Sequence, residues 1–146
     1  MIGYSLEPVR VLIVDDQEVV RVGVRTVLSR RDGICVVGDA DTIAGAISEA
    51  RRLQPNVVVM DVCLSDGSGV AACRTIRQSY PATRVLFFTS YEDDETVLAA
   101  VVGGAAGYLL KHVEAESLVR AIRDVAQGQA VLDPAITQAL LTHMRL

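Results

Sequence analysis

Short runs of β-branched and other apolar residues alternate along the chain with stretches whose apolar positions recur every three to four residues. Val9 to Val14 (VRVLIV) is the first run, and it stops abruptly at Asp15-Asp16. Glu18 to Arg30 comes next, with Val20, Val24, Val27 and Leu28 at helical spacing. The same alternation predicts strands at Ile34 to Ala40, Asn56 to Met60, Arg84 to Phe88 and Gly107 to Leu110. It predicts helices at Thr42 to Leu53, Gly69 to Ser79, Asp93 to Val102 and Glu114 to Gln127. The punctuation agrees. Thr42 is placed to cap a helix, Pro55 and Pro81 close two others, and Gly103-Gly104 and Gly128 end two more. Leu132-Asp133-Pro134 is the plausible boundary, and a final helix spans Ala135 to Met144 with Ile136, Leu140 and Met144 on one face. Five strands alternating with five helices predict an α/β fold, a parallel sheet covered on both faces.

Size and composition narrow the picture. The 146 residues suit one domain, and an apolar half with 22% charged residues is globular in character. A net charge of −4 predicts a poor non-specific binder of nucleic acid or anionic membrane. No apolar run approaches the roughly 18 residues of a membrane span, and Met1 to Arg10 lacks a signal pattern. Cys35, Cys63 and Cys73 are odd in number and widely spaced, which suits reduced thiols in a cytoplasmic protein. Cys35 and Cys73 are expected to pack as small apolar residues. Isolated His112 and His143 suggest no metal role. Of fourteen basic residues thirteen are Arg, and the single lysine, Lys111, falls where a compact ammonium is useful.

The residues just past each strand are the informative ones. The first strand ends in Asp15-Asp16, the third in Asp61, the fourth in Thr89 and the fifth in Lys111. The carboxyl ends of strands in an open parallel sheet form the crevice where ligands bind. Three carboxylates, a hydroxyl and an ammonium are therefore expected to converge. Close carboxylates repel one another and invite a hard divalent cation. A phosphoryl group beside that cation needs the further donors that Thr89 and Lys111 supply. Taken singly, each residue has an ordinary role: Asp15-Asp16 and Thr89-Ser90 as helix caps, Asp61 as a turn residue, Lys111 as a solvated cation.

The segments VLIVDDQEVVR, VVVMDVCLSDGSG, VLFFTSYEDDE and GAAGYLLK resemble the receiver domain of bacterial two-component response regulators, over about residues 9 to 128. Tyr91 and the ending GQAVLDPAITQALL are similar to the NarL/FixJ subfamily, whose members carry a LuxR-type DNA-binding domain. The resemblance implies a flavodoxin-like (βα)5 sheet of order 2-1-3-4-5 with an extra C-terminal helix. It implies an N-terminal extension over 1–8, expected to be disordered, and a receiver over 9–130. Residues 131–146 would be a linker helix toward a helix-turn-helix DNA-binding domain outside this chain. Asp61 would be the phosphoacceptor. Asp16 and Asp61 would bind Mg²⁺ (or Mn²⁺) directly, Asp15 partly through water, and the backbone carbonyl of Cys63 would complete the protein ligands. Thr89 and Lys111 would contact the phosphoryl group. Tyr108 would be the aromatic switch that moves inward after Thr89, the alternative being a fixed surface aromatic. The implied partners are a sensor histidine kinase and a second copy, with no membrane and with DNA reached only through the further domain. Three positions depart from the pattern: Ser65 replaces a common Pro, which implies a looser loop, while Gln17 and His112 remove no chemical group.

Other functions compete. A haloacid-dehalogenase-like phosphohydrolase also uses an Asp after a strand, but needs a second Asp two residues on, where Cys63 stands. A flavodoxin-like flavin binder needs a Ser/Thr/Gly phosphate loop after the first strand, where Asp15-Asp16-Gln17-Glu18 would repel phosphate. A stand-alone or degenerate receiver acting as an interaction module is the nearest rival. The run Val97 to Val102 has too many apolar residues for one buried stripe, so part of it is expected at the surface, with Ala99 and Ala100 facing water as the alternative.

Overall fold

The computed structural model describes residues 7–132 and 134–144. The chain runs β1 Val9–Val14, α1 Glu18–Ser29, β2 Ile34–Ala40, α2 Ile43–Leu53, β3 Val57–Met60, β4 Cys63–Leu64 and β5 Gly67–Ser68. It continues α3 Gly69–Ser79, β6 Arg84–Thr89, α4 Asp94–Val102, β7 Gly107–Leu110, α5 Ala115–Ala126, β8 Val131–Leu132 and α6 Pro134–Met144. The main sheet is parallel, in the order β2-β1-β3-β6-β7-β8. The expected doubly wound topology is therefore observed, with one addition. Val131–Leu132, expected to begin a linker, adds a sixth strand beside β7. A small antiparallel hairpin, β4–β5, is the second addition. The expected extension over 1–8 falls on residues 1–6 outside the described part, and β1 begins at Val9 as expected.

Alternation along the strands builds two cores, because successive side chains point to opposite faces. Leu12, Val58, Met60, Phe87 and Tyr108 pack on one face against α2, α3, α4 and α6. Val11, Ile13, Val57, Val59 and Leu86 pack on the other against α1 and α5. With both faces covered, the central strands are apolar at nearly every position. Short-range signals set the ends of the helices. Thr42 caps α2, its side chain accepting from the Gly45 N–H at 3.0 Å. Asp93, not Thr89 or Ser90, caps α4 by accepting from Thr96. Gly104, at φ +101°, comes after α4 in a conformation that L side chains rarely adopt.

Several expectations change. Gln17 occupies the N-cap position of α1 and makes no side-chain cap, so neither Asp15 nor Asp16 caps it. Cys73 is buried as expected, but Cys35 is exposed on the edge strand β2, where its side chain meets solvent rather than core. In α4, Val97 and Ala100 are buried, so Ala100 does not face water; Ala99, Val101 and Val102 are exposed, Val102 at 72%. The final helix also finds a core within the chain. α6 packs on α4, with Ile136 buried beside Val97, Ala100 and Tyr108 and Leu140 packed against the same cluster. The side chains of Met144 and His143 lie outside the described residues. Ile136→Ala is expected to lower the unfolding free energy by about 2–4 kcal/mol in urea denaturation, the usual cost of emptying a buried isoleucine site. A loss below about 0.5 kcal/mol, typical of a surface change, means that α6 does not dock on α4.

Candidate functional site

The parallel ladder runs on past the strands and fixes the backbone of the site. The Asp15 N–H donates to the Ala40 carbonyl, Asp61 N–H to Val14, and Lys111 N–H to Thr89. With the β3–β6 pairing, these bonds register the ends of β1, β3, β6 and β7 against one another, and the side chains there meet. The Thr89 hydroxyl donates to Asp61 Oδ1 at 2.6 Å. The Lys111 ammonium lies 2.8 Å from Asp61 Oδ2 and 2.8 Å from Asp15 Oδ2. Asp15 is 2% exposed and Asp61 7%, while Asp16 is exposed. Of the five groups expected to converge, four are in direct contact and Asp16 stands at the solvent side.

Buried carboxylates require partners, and each oxygen has one. Asp15 Oδ1 accepts from the Gln17 N–H at 2.9 Å, and Asp61 Oδ1 also accepts from the Cys63 N–H at 3.2 Å. Burial alone lowers the pKa of Lys111, but its hydrogen bonds and charge contacts with Asp15 and Asp61 together outweigh burial and leave it raised. One approach of backbone to backbone sets the loop after β3. The Gly69 N–H donates to the Val62 carbonyl, and a Cβ at Gly69 would fall 2.2 Å from the Asp61 carbonyl oxygen. Only glycine fits there without moving the segment that carries Asp61.

Ser65, expected to give a looser loop, lies in an ordered turn. It sits in the turn of the β4–β5 hairpin, and its neighbour Asp66 accepts from the Ile43 and Ala44 N–H groups at the start of α2. The Ile43 bond, more than the Ala44 one, holds the Asp66 carboxyl below its ordinary range. Sequence reasoning missed Asp66; its signal was an acid directly before Gly67 in a turn, with no local mark of its distant helix.

A second missed element joins the site to the sheet interior. The Tyr91 N–H donates to Thr89 Oγ1 at 3.4 Å, and the Tyr108 hydroxyl donates to the Tyr91 carbonyl at 2.6 Å. Tyr108 is wholly buried and its ring lies 6.1 Å from that of Phe87. It is neither a surface aromatic nor outward and waiting to move in. Burial, and after it the charges of Asp93 and Asp61, raise its phenol pKa. The side chains of Tyr91 and Cys63 flank the site and line an open groove of about 630 Å³ between the β4–β5 hairpin and α4. Hydrogen bonding with Cys63, then the charges of Asp61 and Asp16, raise the Tyr91 phenol. Cys73 is remote from this chemistry, and burial pushes its thiol up to about 11. His112 is exposed.

A doubly wound sheet with a buried Asp held by a hydroxyl and an ammonium at its carboxyl edge defines a small class of α/β signalling modules. Similarity to known proteins makes the class specific: the response regulator receiver domain profile matches residues 11–123, and the chain belongs to that family. It is 39% identical over 137 residues to the DNA-binding transcriptional activator DevR/DosR of Mycobacterium tuberculosis, an alignment covering 94% of this chain and 63% of that protein. It is similar to the crystal structure of a LuxR-family two-component response regulator from Aurantimonas sp. SI85-9A1, with TM-score 0.89 and 34% identity over 96% of this chain and all of that one. It is also similar to the receiver domain of NarL from M. tuberculosis, with TM-score 0.81 and 33% identity over 84% of this chain and 99% of that one. The chain spans less than two thirds of the length of the curated relatives it matches, 62% to 66%. No helix among the described residues is long and apolar enough to cross a membrane.

Lys111→Met is expected to destabilise the fold by about 3–5 kcal/mol at pH 7, because two buried carboxylates lose their shared cation. Chemical denaturation across pH checks the sign. On the alkaline side the folded-state pKa of Lys111 is raised, so its contribution is complete below its ordinary value and is lost only as pH rises through the higher folded value. A variant as stable as the parent at pH 7 contradicts this account.

Proposed function

We propose that Asp61 accepts a phosphoryl group from a phosphohistidine of a sensor kinase, and that the chain is the regulatory part of a two-component transcriptional regulator. The observation that carries this is the two-sided hold on one carboxylate: Thr89 on Oδ1 and Lys111 on Oδ2. These contacts orient Asp61 as a nucleophile and supply the donors that an incoming phosphoryl group requires. An Asp61 oxygen bonds to phosphorus as the phosphorus–nitrogen bond of the donor breaks, and the departing imidazole keeps the electron pair. Lys111 offsets the charge gathered on the acyl phosphate, and the Thr89 hydroxyl turns from Asp61 to a phosphoryl oxygen. The chain assists its own phosphorylation and hydrolysis in this way and acts as a signalling module rather than a turnover enzyme.

The donors around Asp61 are hard oxygens, which suit Mg²⁺ or Mn²⁺. Asp15, Asp16, Asp61 and the Cys63 backbone carbonyl would hold the ion. Among the described residues no three His, Cys, Asp or Glu side chains already form a metal-binding group, and the Lys111 ammonium lies between Asp15 and Asp61. When bound, the cation supplies charge neutralisation between the carboxylates and the phosphoryl oxygens. The reading also places the chain in the cytoplasm as a homodimer after phosphorylation, with DNA reached through a further domain. The resemblance to a DNA-binding activator of greater length supports this. A second reading, a stand-alone receiver, is favoured by the docking of α6 on its own α4.

Acetyl phosphate with Mg²⁺ is expected to add one phosphoryl group, roughly 80 Da by intact mass. Asp61→Asn removes the adduct, and Asp16→Asn weakens Mg²⁺ binding. An undiminished adduct in the first variant, or unchanged metal affinity in the second, rejects the assignment concerned.

Tyr91 joins Thr89 to Tyr108, so the position of the hydroxyl is transmitted to the α4 side of the sheet. Thr89→Ala is expected to keep phosphorylation at a reduced rate and to lose phosphorylation-dependent dimerisation in size-exclusion measurements. Normal dimerisation in the phosphorylated variant excludes this route.

A further inference from the structure

The net charge of −4 describes neither end of the molecule. In a doubly wound fold each helix runs back against the strands, so helix C-termini and strand N-termini share one edge. Arginines collect there. Arg10 and Arg84 begin β1 and β6, Arg30 comes directly after α1, and Arg51, Arg77 and Arg123 lie in the last turns of α2, α3 and α5. Contacts around the edge join them into one surface. Arg10 donates to the Gln54 carbonyl, Arg77 to the Thr83 carbonyl and Arg123 to the Asp32 carbonyl. The Thr83 hydroxyl donates to the Pro55 carbonyl, and the Arg84 guanidinium lies beside Gly128.

Three of these guanidiniums, those of Arg10, Arg77 and Arg123, are held by carbonyl groups, which carry no net charge to cancel theirs. Among the described residues none of the six has a carboxylate within ion-pair distance; the neighbours Arg31 and Arg52 do, with Glu116 and Glu49. The acids at this edge are Glu7, just before β1, and Asp32, Glu49 and Asp124. The site edge has the opposite character, with Asp15, Asp16, Asp61 and the run Glu92-Asp93-Asp94-Glu95. A six-residue strand puts roughly 20 Å between the two edges. The Debye length at physiological salt is about 8 Å. The acidic edge is therefore screened from a ligand at the basic one.

We infer that the arginine edge is a second interaction surface, one that binds the phosphate backbone of duplex DNA without reading sequence. A guanidinium's paired N–H donors match phosphate oxygens, and those of Arg10, Arg77 and Arg123 are already held in position. Thirteen arginines to one lysine, with the lysine engaged at Asp61, fits that use. The inference is independent of phosphotransfer, because no residue of this edge touches the site.

The test is fluorescence anisotropy of a labelled duplex of about 20 bp and arbitrary sequence, titrated with the 146-residue chain. Saturable binding is expected at about 20 mM salt, with affinity falling roughly 10³-fold by about 150 mM, the slope for about four neutralised phosphates. Arg30 and Arg51 are exposed and hold no contact that the fold needs, so the double variant Arg30→Glu, Arg51→Glu is expected to fold normally and to bind at least tenfold more weakly. Arg25→Glu, on the middle of α1, and Asp61→Asn are expected to bind as the parent does. No binding at low salt overturns the inference, as does binding that the double variant leaves unchanged. Equal competition by poly-glutamate of matched charge overturns it in favour of an acidic protein partner.

Discussion

Asp15 and Asp61 lie almost out of water at the ends of neighbouring strands, and one ammonium joins them. Two carboxylates so placed tolerate ionisation only with a cation between them. The arrangement requires β1, β3, β6 and β7 to end level with one another, and the β3–β6 pairing together with the ladder bonds from Asp61 and Lys111 meets that requirement. It also requires the loop after Asp61 to turn sharply, which the close approach of Gly69 to the Asp61 carbonyl allows. Asp66 then ties the same loop to the start of α2. The site is thus a property of the sheet edge as a whole, and no single loop builds it.

From that edge a continuous path leads inward. Asp61, Thr89, the Tyr91 backbone and the Tyr108 hydroxyl are linked by hydrogen bonds. Tyr108 in turn belongs to the core cluster that takes in Val97 and Ala100 of α4 and Ile136 of α6. A charge placed on Asp61 acts on the first member of this path and so bears on how α4 and α6 pack. The exposed Val101 and Val102 sit at the end of α4, next to the turn at Gly103-Gly104. Seating α6 on α4 leaves part of the apolar run covered and part open, and a small shift of α6 changes that division.

The distribution of charge arises from the same topology. Helix N-termini favour acids and C-termini favour bases, and every helix between parallel strands points the same way. Local preferences therefore add up to an acidic edge that carries the Asp15–Lys111–Asp61 cluster and a basic edge opposite. Composition alone suggested a weakly acidic molecule with little attraction for polyanions. The fold sorts the same residues into two surfaces of opposite sign.

Much of this was legible along the chain. Short apolar runs placed the five main strands and period-3.6 patterns the helices, and the residues after each strand announced the site, because the carboxyl ends of parallel strands must share one edge. Thr42 and the glycine pair after α4 marked their boundaries through purely local geometry. Features that depend on distant partners were not legible. Val131 and Leu132 gave no strand signal because two residues carry no period, and only the open edge of β7 recruited them. Ile136 and Leu140 read as a face in want of a partner until α4 covered them. Tyr108 was recognisable by position, but its burial and its bond to the Tyr91 carbonyl depend on how β6 and α4 enclose it. Local sequence encodes period, caps and turns, whereas burial and contact across the sheet exist only once elements far apart in the chain are packed together.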